Sequence, residues 1–266
     1  MLLNKSLIEL KKQGMDITEI DFKDYLFITN KTNLYKWVKY IACDYGDADQ
    51  VIKCFRIFDI LKWNSEYIDC IFSMKTIFNK FLKFYLKGSK YEAATYGQIM
   101  DNYDDIFNER EYNNFCIRNG IDFSLVEKIF ELIDVFAKYT HTIGNYMPCP
   151  DNMYNAIKGY GKGYKYFQDR IEKVWKYLYS DKNISFKEFN DKKQIYKCWF
   201  DKVNKSLYID EIIKNESKLL LFDWIDKNGC FVKEMTNEKH LNDYLKYLEL
   251  VINLIKNRSK LIEKLL

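Results

Sequence analysis

The sequence predicts an all-α or predominantly α protein, a single-domain multi-helix bundle with a long C-terminal helix. Apolar residues recur at helical spacing in segments along the whole 266-residue chain. The longest uninterrupted pattern of this kind runs from Asn237 to Leu266. No Gly/Ser-rich linker, fixed-period repeat or low-complexity block divides the chain, so residues 1–266 are expected to form one domain.

The N-terminal quarter predicts short helices. The segment from Leu2 to Lys12 carries leucines on one side and is closed by Gly14. The next segment, Ile17 to Thr29, is short and aromatic, and it favours a helix over a strand only weakly. Two apolar stripes between Thr32 and Phe58 then predict a pair of packed helices.

A wide apolar face from Ser65 to Leu86 predicts a central core helix, and Gly88 stands where a left-handed C-cap is needed. Between Gly88 and Ser124 helical periodicity is lost and Tyr, Asn and Asp become frequent. This stretch is therefore expected to bear loops.

The segment that begins at Ser124 predicts an amphipathic helix around which the other helices pack. Ser124 and Glu127 have the spacing of a capping box, in which two backbone N–H groups are satisfied reciprocally. The helix is expected to end at His141, because Pro148 and Pro150 force the following backbone into an extended path.

Three further helices are predicted in the second half. They cover Tyr164 to Leu178, Ile209 to Leu220 and Asn237 to Leu266. The last one carries Arg258 and several lysines near its end, where positive charge complements the helix dipole.

Composition excludes some classes of protein and leaves others open. Apolar residues make up 48% of the chain and aromatic residues 17%, which argues against disorder and predicts an aromatic core. The net charge of +4 is too small to indicate a dedicated duplex-binding domain. The seven cysteines form no Cys-x-x-Cys pair, and no secretory or membrane-spanning pattern is present, so we expect reduced thiols and a cytoplasmic location.

The motif that follows the central helix is chemically the most unusual part of the chain. Its residues are His141, Thr142, Gly144, Asn145, Pro148 and Pro150. His141 is placed to act as a general base or ligand, or else to cap the last helix carbonyls, which is the favoured alternative. Gly144 is expected to need a positive φ, and Asn145 to organise the turn from a left-handed conformation.

Two further segments are candidates for binding. Lys158, Lys162 and Lys165 surround Tyr160 in a glycine-rich helix start that predicts a weak phosphate or nucleic-acid contact. The acidic set Asp101, Asp104, Asp105 and Glu109 is an alternative site for Mg²⁺ or Mn²⁺, although helix-start charge is the commoner role of such residues. The preferred expectation is that the protein uses no cofactor.

The run from Phe136 to about Asn155 resembles an uncharacterised family of bacterial and phage-associated proteins. The resemblance is carried by a helix that ends in His-Thr-Ile-Gly-Asn, an aromatic residue and a Pro-x-Pro pair. It is weaker from Tyr96 to Phe107 and in the aromatic segment after Gly163. Since that family has no established activity, the resemblance implies a bacterial or mobile-element setting and no particular reaction.

A fainter resemblance is to the C-terminal nuclease domain of modification-dependent restriction systems, which has a similar Gly-Asn turn followed by asparagines and a lysine. That family's His-Ile-x-Pro hairpin has no counterpart upstream of Gly144. The sequence therefore favours a non-enzymatic recognition protein with a protein or nucleic-acid partner. The alternative is a metal-dependent nuclease or phosphodiesterase centred on His141 and Asn145, with Asn152 and the acidic segment.

Overall fold

The computed structural model describes residues 7–20, 67–70, 72, 74–149, 178, 190–198, 201 and 235–264. Within these ranges seven α-helices, one 3-10 turn and one two-stranded antiparallel sheet have assigned bounds, and residues 178, 190–191, 193–198 and 201 are helical as well. In chain order they are α1 (Leu7–Lys12), β1 (Tyr67–Cys70), α2 (Met74–Leu86), α3 (Tyr96–Asp101), α4 (Tyr103–Ile106), α5 (Glu109–Asn119), α6 (Phe123–Tyr139), the turn (Ile143–Asn145), β2 (Tyr146–Cys149) and α7 (Glu238–Glu263). The predicted predominantly α class is confirmed. None of the described helices combines the length and apolar character that a membrane crossing needs.

Helices α6 and α7 pack along each other and form the centre of the described fold. On α6, Val126, Ile129 and Ile133 are completely buried, at the spacing that the sequence indicated. Helix α7 presents Leu241, Leu248 and Val251 in the same way. Burying each such side chain stabilises the fold by about 1.5–3 kcal/mol.

An aromatic cluster joins α2 to this centre, as the composition predicted. The Phe81 ring stacks on Tyr244 of α7, with centroids 5.8 Å apart, and meets Phe130 of α6 edge-on at 5.1 Å. The Tyr244 hydroxyl donates a hydrogen bond to the Ile77 carbonyl, and the Tyr85 hydroxyl donates one to an Ile106 carbonyl 2.8 Å away. Burial raises the pKa of Tyr85, so its hydroxyl remains a donor.

The single helix expected from Ser65 to Leu86 is wrong in its first third. The segment Tyr67–Cys70 is a strand, and the helix begins at Met74. The strand pairs antiparallel with β2, so that Ile68 faces Pro148 and Cys70 faces Tyr146. Local periodicity does not reveal a partner this distant in the chain, and a short apolar run fits either structure.

The expectation of loops between Gly88 and Ser124 holds for residues 88–95 and for the short connections that follow, but it misses α3, α4 and α5, which lie there. Helix α5 buries only Phe115 and Cys116, so its apolar stripe is too narrow to give a clear pattern. Its ends carry conventional signals. The Asn108 side chain accepts a hydrogen bond from the Glu111 N–H, and Gly120 ends the helix with a φ of 63°.

The first turn of α6 is capped by Asp122 and not by the predicted Ser124–Glu127 capping box. The helix begins at Phe123, and Asp122 Oδ1 accepts a hydrogen bond from the Ser124 N–H at 2.8 Å. Ser124 therefore lies inside the first turn, where its hydroxyl is no longer the capping group.

Several expectations hold and several fall outside the described residues. Gly14 and Gly88 adopt the left-handed conformation at the ends of α1 and α2, and α7 covers most of its predicted range. The predicted helices of Thr32–Phe58 and Ile209–Leu220 lie outside the described residues, as does all of Tyr164–Leu178 except a buried Leu178.

Replacing Asp122 with alanine is expected to lower the free energy of unfolding by about 0.5–2 kcal/mol, because the Ser124 N–H loses its acceptor. Urea denaturation measures this change. Ser124→Ala is the matched control and should change stability by much less. A larger loss for Ser124→Ala than for Asp122→Ala would contradict the assigned cap.

Candidate functional site

The His141–Asn145 turn follows α6 directly and lies inside the protein. Thr140, His141, Thr142 and Asn145 have no exposed surface, and Ile143 and Gly144 are buried as well. A run of polar side chains at this depth must be hydrogen-bonded to be stable. Its bonds connect the turn to α6, to α7 and to Phe72, two residues before α2.

The Asn145 side chain binds two separate segments of backbone. Its Oδ1 accepts a hydrogen bond from the Phe72 N–H at 2.9 Å, and its Nδ2 donates to the Phe72 carbonyl at 2.9 Å. The same Nδ2 donates to the Thr140 carbonyl at 2.6 Å. Because Cys70 pairs with Tyr146, the amide continues the β1–β2 ladder by imitating a peptide group.

Carbonyl groups at the C-terminal end of α6 receive hydrogen bonds from this turn. The Thr142 hydroxyl donates to the Tyr139 carbonyl at 2.8 Å, while Asn145 takes the Thr140 carbonyl. The sequence assigned such capping to the His141 imidazole. In the structure the His141 ring is buried near the Tyr146 ring, with centroids 6.5 Å apart and planes 26° apart.

Gly144 is required by close contact with α7 and not by its backbone conformation. Only Gly14, Gly88 and Gly120 have a positive φ among the described glycines, so the expected positive φ at Gly144 is wrong. Asn145 likewise lies in a 3-10 turn and not in the expected left-handed conformation.

A Cβ on Gly144 would overlap the Ile255 carbonyl oxygen and the Ser259 hydroxyl. The Gly144 N–H donates to that hydroxyl at 2.9 Å.

Arg258 is the second contact from α7 to the turn. Its side chain is only 2% exposed, and Nη1 donates to the Gly144 and Tyr146 carbonyls, each at 2.7 Å. Burial lowers the pKa of Arg258 to about 9, because the charged guanidinium loses its hydration. The group is still protonated at neutral pH. Arg258 therefore acts by hydrogen-bonding the buried turn, whereas the sequence predicted that its charge would complement the dipole of the helix.

Sequence reasoning missed Arg258, Ser259 and Phe72 as partners of the motif. A signal for the first two was present. Arg258 and Ser259 fall in register with buried Ile255 and Ile262 on the apolar face of α7, and a polar residue at a core position implies a buried partner. No comparable signal exists for Phe72, since its backbone makes the contact.

The structure does not bring the predicted acidic site to His141. Asp101, Asp104 and Asp105 are exposed on α3 and α4, and the neighbouring Phe107 packs on Phe130 in the first half of α6. His141 lies beyond the other end of α6, about 15 Å further along the helix axis. No three described His, Cys, Asp or Glu side chains converge closely enough to hold a metal ion.

The predicted binding residues Lys158, Tyr160, Lys162 and Lys165 lie outside the described residues, as do Pro150 and Asn152. Pro148 is described, and it lies in β2 with the extended backbone that was expected. Comparison with protein-family models, with curated proteins and with solved structures finds no match to this chain.

Gly144→Ala is expected to lower the free energy of unfolding by several kcal/mol, on the order of the cost of a badly overpacked core site. The new methyl group would collide with backbone of α7, which cannot move without disturbing Arg258. Thermal and urea denaturation measure the loss. Gly97→Ala is the control, because Gly97 lies in α3 with no atom within 4 Å of a new Cβ; it should be neutral or mildly stabilising. Equal effects at the two sites would contradict the close contact.

Asn145→Ala is expected to cost more than about 3 kcal/mol, because it leaves the Phe72 N–H, the Phe72 carbonyl and the Thr140 carbonyl buried without this partner. Asn145→Asp should be at least as damaging, since it turns a donor into an acceptor facing two carbonyls. The control is Asn119→Ala, which removes a half-buried amide with a single bond to the Phe115 carbonyl. A stable Asn145→Asp variant would show that the donor is not needed.

Proposed function

We propose that this protein is a non-enzymatic recognition protein that acts through contacts with another protein or a nucleic acid. The observation that carries the proposal is the complete burial of His141 and Asn145. A catalytic group must reach the atoms on which it acts. In this fold the two candidate catalytic residues face the interior of a packed helical core.

The hydrogen bonds of the turn support the same conclusion. The Asn145 amide is bonded to Phe72 and Thr140, and Gly144 and Tyr146 are held by α7. A residue that holds three backbone groups cannot also bind substrate without releasing them. The turn is therefore a structural hub, and recognition takes place on other surfaces.

The setting and the location of the protein rest on other grounds. The resemblance of the His141–Pro150 motif supports a bacterium or mobile genetic element. The cysteine pattern supports the cytoplasm. Cys116 fits reduced, unreactive thiols, because burial and then the nearby Asp122 carboxylate raise the pKa of its sulfur.

Purified protein is expected not to cleave DNA, RNA or common nucleotides when Mg²⁺ or Mn²⁺ is added. His141→Ala is expected to lower the melting temperature, because it leaves a cavity beside Tyr146. Incubation of labelled substrates with both proteins, together with thermal denaturation, measures these outcomes. Metal-dependent turnover that is lost in a still-folded His141→Ala variant would support the nuclease alternative.

The binding half of the proposal is tested by capture on the tagged full chain, with protein and RNA scored in the same experiment. The captured component is then purified and its binding reconstituted. The expected result is saturable binding by the wild-type protein. Failure of every candidate to rebind would contradict a recognition role.

A further inference from the structure

Three lysines form one row on the last turns of α7 and its C-cap residue. Lys256, Lys260 and Lys264 are spaced four residues apart, so their side chains lie on the same side of the helix, about 6 Å apart along its axis. Lys260 and Lys264 are exposed and Lys256 is half-buried. We call these three residues the lysine row.

Among the described residues, the lysine row takes part in no ion pair. Glu263 pairs with Lys11, and Glu19 pairs with Lys138. The Lys256 ammonium lies 4.5 Å from the centroid of the Tyr139 ring, a contact with an aromatic face and not with an anion.

The carboxylate of Asp16 interacts with the charge of Lys260 in the row. Hydrogen bonding to Thr18, and then the charges of Lys138 and Lys260, lower the pKa of Asp16. Asp16 Oδ1 accepts hydrogen bonds from the Thr18 N–H and from the Thr18 hydroxyl. The carboxylate is therefore anchored in the turn that follows α1 and does not pair with a lysine.

The surface beside the row is polar, which bears on the kind of partner. Asn253 and Asn257 are exposed on these turns, whereas Leu254, Ile255 and Ile262 are buried in the core. A helix that binds a membrane surface inserts its apolar face into the lipid. Here that face is already packed against α6 and the His141–Asn145 turn.

We propose that the lysine row binds the phosphate backbone of a nucleic acid. The inference rests on the proposed recognition function and names its partner. The row is about 12 Å long, a length over which each strand of a duplex presents about three or four phosphates. Lysine ammonium and asparagine amide groups are both common donors to phosphate oxygens. Because the row carries charge locally, the small net charge of +4 does not oppose it.

The test is binding of fluorescently labelled single- and double-stranded oligonucleotides over a range of salt concentrations. The triple variant Lys256→Gln, Lys260→Gln and Lys264→Gln should weaken binding about tenfold or more at low salt. It should also reduce the slope of log affinity against log salt by about 2 to 3, since each neutralised phosphate contributes about 0.7 to 0.9. The double variant Lys260→Gln and Lys264→Gln leaves the Tyr139 contact in place and should show a smaller change of the same kind.

Two single variants complete the design. Lys246→Gln changes an exposed lysine on the same helix outside the row and should leave affinity within about twofold of wild type. Asp16→Asn removes the opposing charge but keeps an oxygen for Thr18, so it should strengthen binding. Urea denaturation confirms that each variant is folded.

The proposal is overturned if the wild-type protein binds no oligonucleotide at low salt, or if Lys246→Gln weakens binding as much as the triple variant. Vesicles containing phosphatidylserine and a polyglutamate peptide serve as competing anions; row-dependent binding to either one without oligonucleotide binding also overturns it. A reconstituted protein partner whose affinity is the same for the wild type and the row variants would support the recognition function and refute this inference. Cleavage of an oligonucleotide whose binding still depends on the lysine row would support this inference and refute the non-enzymatic function.

Discussion

The side-chain amide of Asn145 joins two segments of backbone, one of them far away in the chain and the other at the end of α6. It bonds the Phe72 backbone, 73 residues earlier in the chain, and the Thr140 carbonyl at the end of α6. Through Phe72 it fixes the chain between β1 and the start of α2, and through Thr140 it closes α6. An aspartate, glutamine or alanine cannot supply one acceptor and two donors in these directions. The β1–β2 pairing and the aromatic contacts of α2 both depend on this placement.

Helix α7 encloses that amide from the other side. Its close approach at Gly144 brings Ser259 and Arg258 within hydrogen-bond distance of the turn. Placing a charged guanidinium in the interior costs several kcal/mol of hydration, which its two carbonyl bonds offset only in part. The apolar burial along α6 and α7 provides the remaining stability. The polar cluster therefore selects one arrangement of the helices more than it strengthens the fold.

Strongly amphipathic elements were predictable from the sequence, and contacts between distant residues were not. The apolar spacing of α6 and α7 predicted both helices, and Gly88 marked the end of α2. The β1 strand was missed because its four residues acquire their conformation from β2. Helix α5 was missed because its outer face is almost wholly polar. At the motif, sequence reasoning favoured a structural turn but ascribed Gly144 to backbone conformation, since the approach of Ile255 has no local signature.

The dependence of the turn on α7 has a consequence for how the chain folds as it is made. Gly144 and Ser259 are 115 residues apart, so a ribosome that adds about 5–20 residues per second needs roughly 6–23 seconds to supply the second after the first. During that interval the part of α6 that packs against α7 is uncovered. The Phe81 ring likewise lacks its stacking contact with Tyr244 until α7 has been synthesised. Such a chain is a natural client for chaperones that shield aromatic surface until translation reaches the last turns of α7.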